Sequence, residues 1–489
     1  MKKITKLLLT GVALMGVALS VAGCSSKQAD DNSGGTKTLT MYQIGEKPKN
    51  YDTLIKKANK TIEKKYNAKL KINYIGYGDY AQKMAVIVSS GEAYDIAKAD
   101  NYTLNAQKGA YADLTELLPK YASKAYKNLD SAYIKGNKVN GKLYALPVNA
   151  NVSTTETIAF NKYYLDKYDI DISKVSSYSD LESALKKFHA NEPNVVGFAA
   201  VKGFKSAADF DYPLSSRLPF AVDTSSNGDP TKIVNQYNSA QMLENLEALH
   251  SYYKKGYIAQ DAATSTKEYL LDSKTWFARQ EAQGPYDYGD QALNTAAGSK
   301  DAIVTKEITT PLKATGNAQM FNWVVGNASK NKTLSVKVLG LLNSDPDLLN
   351  GLVWGEEGKA WEKTGDADKI KLLPGYKADE SMGAWMTGNN QILYTTTDVT
   401  DKEIATRDNT IKTAKESPIL GFNPDTSKIK TQITNIQNVM DQYGDILNTG
   451  TAEPKATIKQ MNKALKSAGY AEVQKELQTQ YDKFLKAQK

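Results

Sequence analysis

Two histidines, one cysteine and three arginines leave this 489-residue chain little with which to build a covalent or metal-assisted active site. Nucleophilic catalysis usually sets a hydroxyl or thiol beside an imidazole base. His189 and His250 each fall near the end of a helical stretch, where a surface place or a helix-dipole contact suits them better than catalysis. Cys24 is the lone thiol, and no Cys/His spacing matches a zinc site. Glycoside hydrolysis needs two facing carboxylates, whereas Glu356 and Glu357 are neighbours that diverge on a helix. A distant pair among the 54 acidic residues stays open. Reversible holding of a polyhydroxyl ligand would ask for other residue types. Sugar rings pack C–H faces on aromatic rings, and their hydroxyls need fixed amide, carboxylate and tyrosine partners. The chain has 30 tyrosines and five tryptophans, all the tryptophans between positions 276 and 385.

Each aromatic can serve a core or a ligand. Trp276 and Trp361 read as packing residues. Trp323, with Phe321, shares one face of an alternating strand and Asn322 takes the other, so Trp323 is open between core and cleft. Trp354 is open in the same way. Trp385 precedes Gly388-Asn389-Asn390 in a loop rich in glycine and amides and reads as ligand-facing. Tyr286-Asp287-Tyr288 forms an aromatic–acid–aromatic triplet in a turn. Arg217 and Arg279 read as surface or interlobe ion pairs rather than grips for an anion.

The elements that must position these residues alternate. Strands are expected at 39–42, 69–75 and 95–97, with helices at 51–66, 80–89 and 104–109 between and after them. This rhythm predicts an α/β fold with a parallel, doubly wound sheet, whose ligands sit beyond the carboxyl ends of the strands. Tyr42-Gln43, Tyr77 and Asp79, and Asp100-Asn101 stand at those ends. A strand over 143–146 stops at Pro147, and the polar run Asn149-Ala150-Asn151 is a plausible crossing to a second lobe. There the rhythm resumes with a strand at 158–161, a helix at 180–188 and a strand at 195–200. Residues 428–447, 455–467 and 471–486 are three amphipathic helices.

The N-terminus adds an address. Lys2, Lys3, an apolar run from Leu7 and small residues before Cys24 describe a secretory leader. Val21-Ala22-Gly23-Cys24 resembles the lipobox of bacterial lipoproteins, which implies lipidation of Cys24 and a place on the outer face of the cytoplasmic membrane. The polar residues 25–37 would form a flexible tether of about 20 Å root-mean-square reach. With no second cysteine, the mature chain forms no internal disulfide. The net charge of +8 comes almost wholly from dispersed lysines, which suits a surface near an anionic envelope and argues against nucleic acid.

Taken in order, Ser90-Gly91-Glu92-Ala93-Tyr94-Asp95, Gly141 through Pro147, Phe160-Asn161-Lys162 and Ser179-Asp180-Leu181 resemble landmarks of extracellular solute-binding proteins of ABC importers, in the carbohydrate cluster that includes maltose-binding protein. Trp354-Gly355-Glu356-Glu357-Gly358-Lys359, Gly388-Asn389-Asn390-Gln391 and Ser417-Pro418-Ile419-Leu420-Gly421-Phe422 narrow the resemblance to the LipO-like subgroup with its own C-terminal domain. The resemblance implies two lobes closing on a ligand by a hinge motion, and hand-over to membrane permease subunits. The expected boundaries are leader 1–23, tether 24–37, N-lobe 38–148 with about 275–312, C-lobe 149–274 with about 313–425, and a helical subdomain 426–489. Hinges are expected at 147–151, 256–275 and 309–319. The expected activity is capture, by a monomer, of a carbohydrate, an oligosaccharide above all, with no catalytic residue, metal or cofactor. A non-sugar solute such as a peptide, or an exported glycan hydrolase, are the alternatives. The expected contacts are Tyr42, Gln43, Tyr77, Asp79, Asp100, Asn101, Asn149, Asn151, Tyr286, Asp287, Tyr288, Asn322, Trp323, Trp354, Trp385 and Asn389.

Overall fold

A computed structural model describes residues 35–299, 301–366 and 368–488. The leader, Cys24 and nearly all of the tether lie outside the described residues. The folded unit begins with β1 (Lys37–Ile44), α1 (Tyr51–Tyr66), β2 (Ala68–Ile75), α2 (Tyr80–Ser90), β3 (Ile96–Lys98), α3 (Ser131–Gly136) and β4 (Ala145–Pro147). It continues through β5 (Thr155–Asn161), α4 (Glu182–Asn191), β6 (Val196–Ala199), α5 (Ala240–Lys254), β7 (Trp276–Gln283), α6 (Gln291–Ala296), β8 (Ile303–Glu307), β9 (Leu312–Lys313) and β10 (Asn322–Val325). Then come α7 (Lys332–Leu342), α8 (Pro346–Val353), α9 (Asp401–Thr413), β11 (Lys415–Glu416), α10 (Lys430–Asn448), α11 (Pro454–Ser467) and α12 (Tyr470–Ala487).

The first lobe is a five-stranded sheet in the order β2-β1-β3-β10-β4. Its first three strands are parallel, as the alternation of apolar residues predicts. Leu39 and Met41 face one layer, where α1 brings Leu54, Ala58 and Ile62 on one stripe; Tyr42 and Ile44 face the other, beside Tyr80 and Met84 of α2. The helix α1 stops at Asn67, which takes a left-handed conformation (φ 51°) that asparagine tolerates.

The second lobe is a mixed sheet, β8-β5-β7-β6, in which β5 runs antiparallel to both of its neighbours. Ile158, Phe160 and Phe198 pack under α4, and Phe188 stacks on Phe277 with ring centroids 4.4 Å apart. Helices α10–α12 share one core with Phe210, Phe220, Tyr237 and Met242 of this lobe. They are built onto the second lobe rather than around a core of their own. Val473, Leu477 and Tyr481 supply the buried stripe of α12.

Two lobe boundaries differ from the expectation. Residues 275–312, assigned to the N-lobe, hold β7 and β8 of the second sheet, while β10 lies in the middle of the first. Strand identity depends on pairing partners far away in sequence, and a short apolar run fits either sheet equally well. Segment 256–275 is no crossing either: the Tyr257 carbonyl accepts hydrogen bonds from Gly197 and Phe198 at the edge of β6, and Tyr257 and Ile258 sit in the second lobe's core. The connections run instead through 148–154, through β9 toward β10, and past β11, which pairs with β9. Asp130, just before α3, holds the ammonium of Lys313 on β9 at 2.7 Å, and both side chains are largely buried.

Candidate functional site at the lobe crossing

Where the chain enters the second lobe, side chains alternate across β5. Ser153, Thr155 and Thr157 line one cavity, and Thr154 and Glu156 line another. Successive side chains of a strand point to opposite faces, so the two cavities lie on opposite faces of one sheet.

The smaller, of about 320 Å³, is bounded by Glu156, by Gln280 of β7, by loop 205–212 and by the second connection, 309–317. Gln280 is its fixed point. Its amide donates to Glu156 Oε2 at 2.7 Å, and its carbonyl oxygen accepts from the Ala207 amide at 3.2 Å and from the Tyr178 hydroxyl. The second connection is tied in as well. The backbone N–H of Glu156 donates to Thr309 Oγ1 at 2.9 Å, and Thr310 donates its N–H and hydroxyl to Asp209 Oδ1, each at 3.1 Å. Burial raises the Glu156 carboxyl above its ordinary range despite the Gln280 hydrogen bond. Burial likewise raises Asp211, against hydrogen bonds from the Ser417 side chain and the Tyr212 N–H. The Lys205 ammonium is buried without a hydrogen-bond acceptor, 5.2 Å from the Tyr237 ring, and burial lowers it to about 7. A ligand here would meet carboxylates that accept hydroxyl hydrogens, an amide-fixed floor and the ring of Tyr212.

The larger cavity, of about 690 Å³, lies under α6 and α9. Beside it four of the expected contact residues come together, of which Tyr288 lines the cavity. The Asn151 amide reaches both Asp287 carboxylate oxygens at 3.2 and 3.3 Å, and its carbonyl oxygen accepts from the Tyr286 N–H at 2.8 Å. Burial raises Asp287, against hydrogen bonds from the Gly284 N–H and the Asn151 amide. Arg407 of α9 completes the cluster. It donates to the Tyr288 hydroxyl at 2.9 Å, and its guanidinium carbon lies 5.3 Å and 5.7 Å from the Tyr286 and Tyr288 ring centroids.

The other expected residues lie elsewhere, and none lines either cavity. Trp323 is fully buried in the first lobe's core, so the cleft option for it is closed. Asn322, on the opposite face, is buried too and donates to Asn137 Oδ1 at 2.7 Å. Gln43, on β1, is buried and its side-chain amide nitrogen has no hydrogen-bond partner among the described residues, whereas Asn149 donates to the Asn128 carbonyl at 3.1 Å and Asn389 accepts from the Gln391 N–H at 3.0 Å. Asn149 and Asn389 staple backbone, because a buried amide needs partners whether or not a ligand is near. Trp354 is half-buried beside Tyr376. Tyr42 donates to Glu92, Asp79 pairs with Lys83, Tyr77 is exposed, and the Asn101 amide donates to Asp100. Trp385 is 46% exposed and edge-on to Phe321, leaving its ring free for a ligand approaching from the first lobe.

Sequence reasoning missed Glu156, Gln280, Asp209, Asp211, Lys205 and Arg407. One signal was available. Asp209-Phe210-Asp211-Tyr212 repeats the acid–aromatic alternation that singled out Tyr286-Asp287-Tyr288. Arg407 carries no such signal, standing in a polar helix with no apolar stripe.

Comparison with known proteins sets this geometry in context. The model of the family described as bacterial extracellular solute-binding protein matches residues 45–345, and a domain of unknown function (DUF3502) matches 418–486. A carbohydrate ABC transporter substrate-binding protein of Streptococcus pneumoniae serotype 4 is 49% identical over the whole of both chains. The crystal structure of the N-glycan transport solute binding protein (NgtS) from Streptococcus pneumoniae superposes with a TM-score of 0.90 at 50% identity, over 93% of this chain and all of that one. The structure of NgtS in complex with Man5GlcNAc superposes with a TM-score of 0.76 at the same identity, over 93% of this chain and 99% of that one.

Proposed function

The chain belongs to the bacterial extracellular solute-binding protein family, and from that premise we propose that it is the substrate-binding component of an ABC importer, capturing an oligosaccharide of the mannose–N-acetylglucosamine type between its lobes. The observation that carries this reading is the smaller cavity at the crossing. Its wall includes the second connection itself, so a ligand held by Glu156, Asp209, Asp211 and Tyr212 touches the strand on which the lobes turn. A ligand shifts a conformational equilibrium only by its differential affinity for the two states. Contacts made to both sides of the crossing, with Trp385 offered from the first lobe, would supply that difference. The fall in TM-score from 0.90 to 0.76 between two structures of NgtS, at equal identity, supports rigid lobes that change their mutual disposition. Discrimination would come from the buried acceptors: a sugar lacking a matched hydroxyl leaves one of them unsatisfied.

Lipidation at Cys24 would anchor the receptor outside the membrane, near its permease subunits, and the protein would work as a monomer without turning its ligand over. Thermal unfolding of the mature protein with Man1GlcNAc and Man5GlcNAc tests the reading. A ligand at a hundred times its Kd should add about 2.7 kcal/mol of stability. Stabilisation by peptides or amino acids, with no response to any glycan, would overturn it.

A further inference from the structure

The first lobe carries a lysine-rich surface at the end from which the chain leads back to Cys24. We propose that this surface docks on anionic lipid headgroups, so that the receptor stands on its membrane by the amino-terminal end of its first sheet. The inference rests on the anchored reading above and is independent of which solute is bound.

The first observation is where the lysines lie. β1 and β2 start side by side and run parallel, Lys37 opposite Ala68, and the Lys37 N–H donates to the Asn67 carbonyl at 3.1 Å. That contact sets Lys37 beside the last turn of α1, which holds Lys64 and Lys65. Lys69 and Lys71 follow on β2, the edge strand of the sheet. All five are exposed. Residues 56–71 hold seven lysines and a single carboxylate, Glu63, which pairs with Lys69 at 3.1 Å.

The second is that the charge is left uncompensated. Lys56, Lys60 and Lys64 repeat every four residues along α1, so like charges face each other, an arrangement that destabilises a helix. Elsewhere the same spacing makes ion pairs, Lys83 with Asp79 and Lys162 with Asp166. The helix dipole favours Lys64 and Lys65 in the last turn but gives nothing to Lys56, Lys57 and Lys60 farther back. Lys37, Lys60, Lys64 and Lys65 make no ion pair among the described residues. A surface that accepts this repulsion gains from an external anion.

The third is what selects the partner. Lysine is a hydrated point charge without the planar fork of arginine, which suits a diffuse field of phosphates better than one shaped anion. None of the exposed large apolar side chains falls among residues 37–75, so the contact is electrostatic rather than an insertion. Cys24 lies thirteen residues before Lys37, a stretch that spans at most about 45 Å. A lipid at Cys24 would therefore hold the lysines close to headgroups, and a basic surface is the second signal that makes a weak acyl anchor firm. The orientation also serves capture. β4, antiparallel to β10 as β3 is, ends at the opposite side of the sheet, about 26 Å along β1, and there the chain crosses to the second lobe. Docking by the lysine end leaves the lobe crossing away from the membrane, open to arriving solute.

Co-sedimentation of the full mature chain carrying Cys24→Ser, which no acyl chain can modify, with lipid vesicles tests the proposal. The expected result is binding to vesicles of mixed phosphatidylcholine and phosphatidylglycerol, none to phosphatidylcholine alone, and release by salt. Lys60→Gln/Lys64→Gln/Lys65→Gln should weaken the partitioning about a hundredfold. Lys459→Gln/Lys463→Gln/Lys466→Gln removes the same charge from exposed positions of α11 and should weaken it by less than about threefold. Equal melting temperatures for the two triple variants guard against misfolding as the cause. Equal binding to both kinds of vesicle, equal losses for the two variants, or retention by polyphosphate but not by vesicles would overturn the docking surface. Such a result leaves lipidation of Cys24 standing, because the probe has no acyl chain. Mass spectrometry of the protein recovered from cells reads that modification separately.

Discussion

Removing the Asp130 carboxylate by Asp130→Ala perturbs the hinge where the sheet geometry makes it most sensitive. Lys313 keeps only 8% of its side chain exposed and Asp130 20%, with Nζ and Oδ2 2.7 Å apart. Deleting one partner of a buried ion pair costs about 3–5 kcal/mol, because the other charge stays behind in a poorly solvated place. Asp130 Oδ1 also caps α3, accepting the Ala132 N–H at 2.8 Å, and losing a cap adds about 1 kcal/mol. Asp130→Ala should therefore lose about 4–6 kcal/mol, and Asp130→Asn, which keeps a cap acceptor, somewhat less. Lys313→Met should cost only about 1 kcal/mol, since a stem of similar shape fills the space and Asp130 is nearer to water. The double variant Asp130→Ala/Lys313→Met should then be more stable than Asp130→Ala alone, the signature of direct coupling. Urea unfolding followed by tryptophan fluorescence and by circular dichroism, with coincident transitions, measures all four proteins. A loss below about 1 kcal/mol for Asp130→Ala, or strict additivity in the double variant, would refute the claim that this pair holds the first lobe to the second connection.

Three further outcomes follow from the packing and the charges. Trp323→Ala should cost about 3–5 kcal/mol in unfolding experiments while leaving glycan affinity unchanged, because its ring belongs to the core; a selective loss of binding would place it at the ligand after all. Gly136 of α3 has no room for a side chain: a Cβ would overlap that of Ala318 and press on Leu420 at 3.2 Å. Gly136→Ala should therefore destabilise by about 1–3 kcal/mol and alter glycan affinity, since the wedge acts between the first lobe and the second connection; equal stability and equal affinity would count against it. Lys205 is lowered to about 7 in the folded protein from an ordinary value of 10.5. The unfolded chain thus binds an extra proton between those values, so this group makes stability rise with pH across that window and does nothing below it. Subtracting the pH profile of Lys205→Met should remove an upward slope between about pH 7 and pH 10, and identical profiles would contradict the buried placement of the ammonium.

The first lobe was legible where local pattern and tertiary role agree. The spacing of Leu54, Ala58 and Ile62 predicts α1 with its observed bounds, and the alternation of 69–75 predicts all but one residue of β2. The three final helices were legible for the same reason. Pairing was not. Phe321-Asn322-Trp323 carries a strand's alternation but nothing that says which sheet accepts it. The start of β5 was hidden because Thr155-Glu156-Thr157 is polar on both faces, and that is the stretch that separates the two cavities. In the candidate site, Asn151 and the Tyr286–Tyr288 triplet were recoverable because turns display polar and aromatic residues openly. Glu156 and Gln280 were not, since their roles arise from β5 and β7 meeting side by side, with more than one hundred residues between them.

The position of β10 also bears on how the chain acquires its fold. It lies between β3 and β4, pairing Trp323 with Lys98 and with Leu146, yet it follows β4 only after the whole of the second sheet has been made. As the polypeptide emerges from its N-terminus, β1, β2 and β3 are present early, with the edge of β3 open until residues 322–325 arrive. An open edge is a template for wrong pairing, and closing so long an intervening segment is slow. The β8-β5-β7-β6 sheet of the second lobe is complete at Glu307 and is free to consolidate first, while the part of that lobe around Phe210 and Phe220 waits for α10–α12. The sheet that begins the sequence would thus finish after the one that follows it, and a nascent chain stalled before residue 322 should remain sensitive to protease in its first lobe while the β8-β5-β7-β6 sheet and α4 resist.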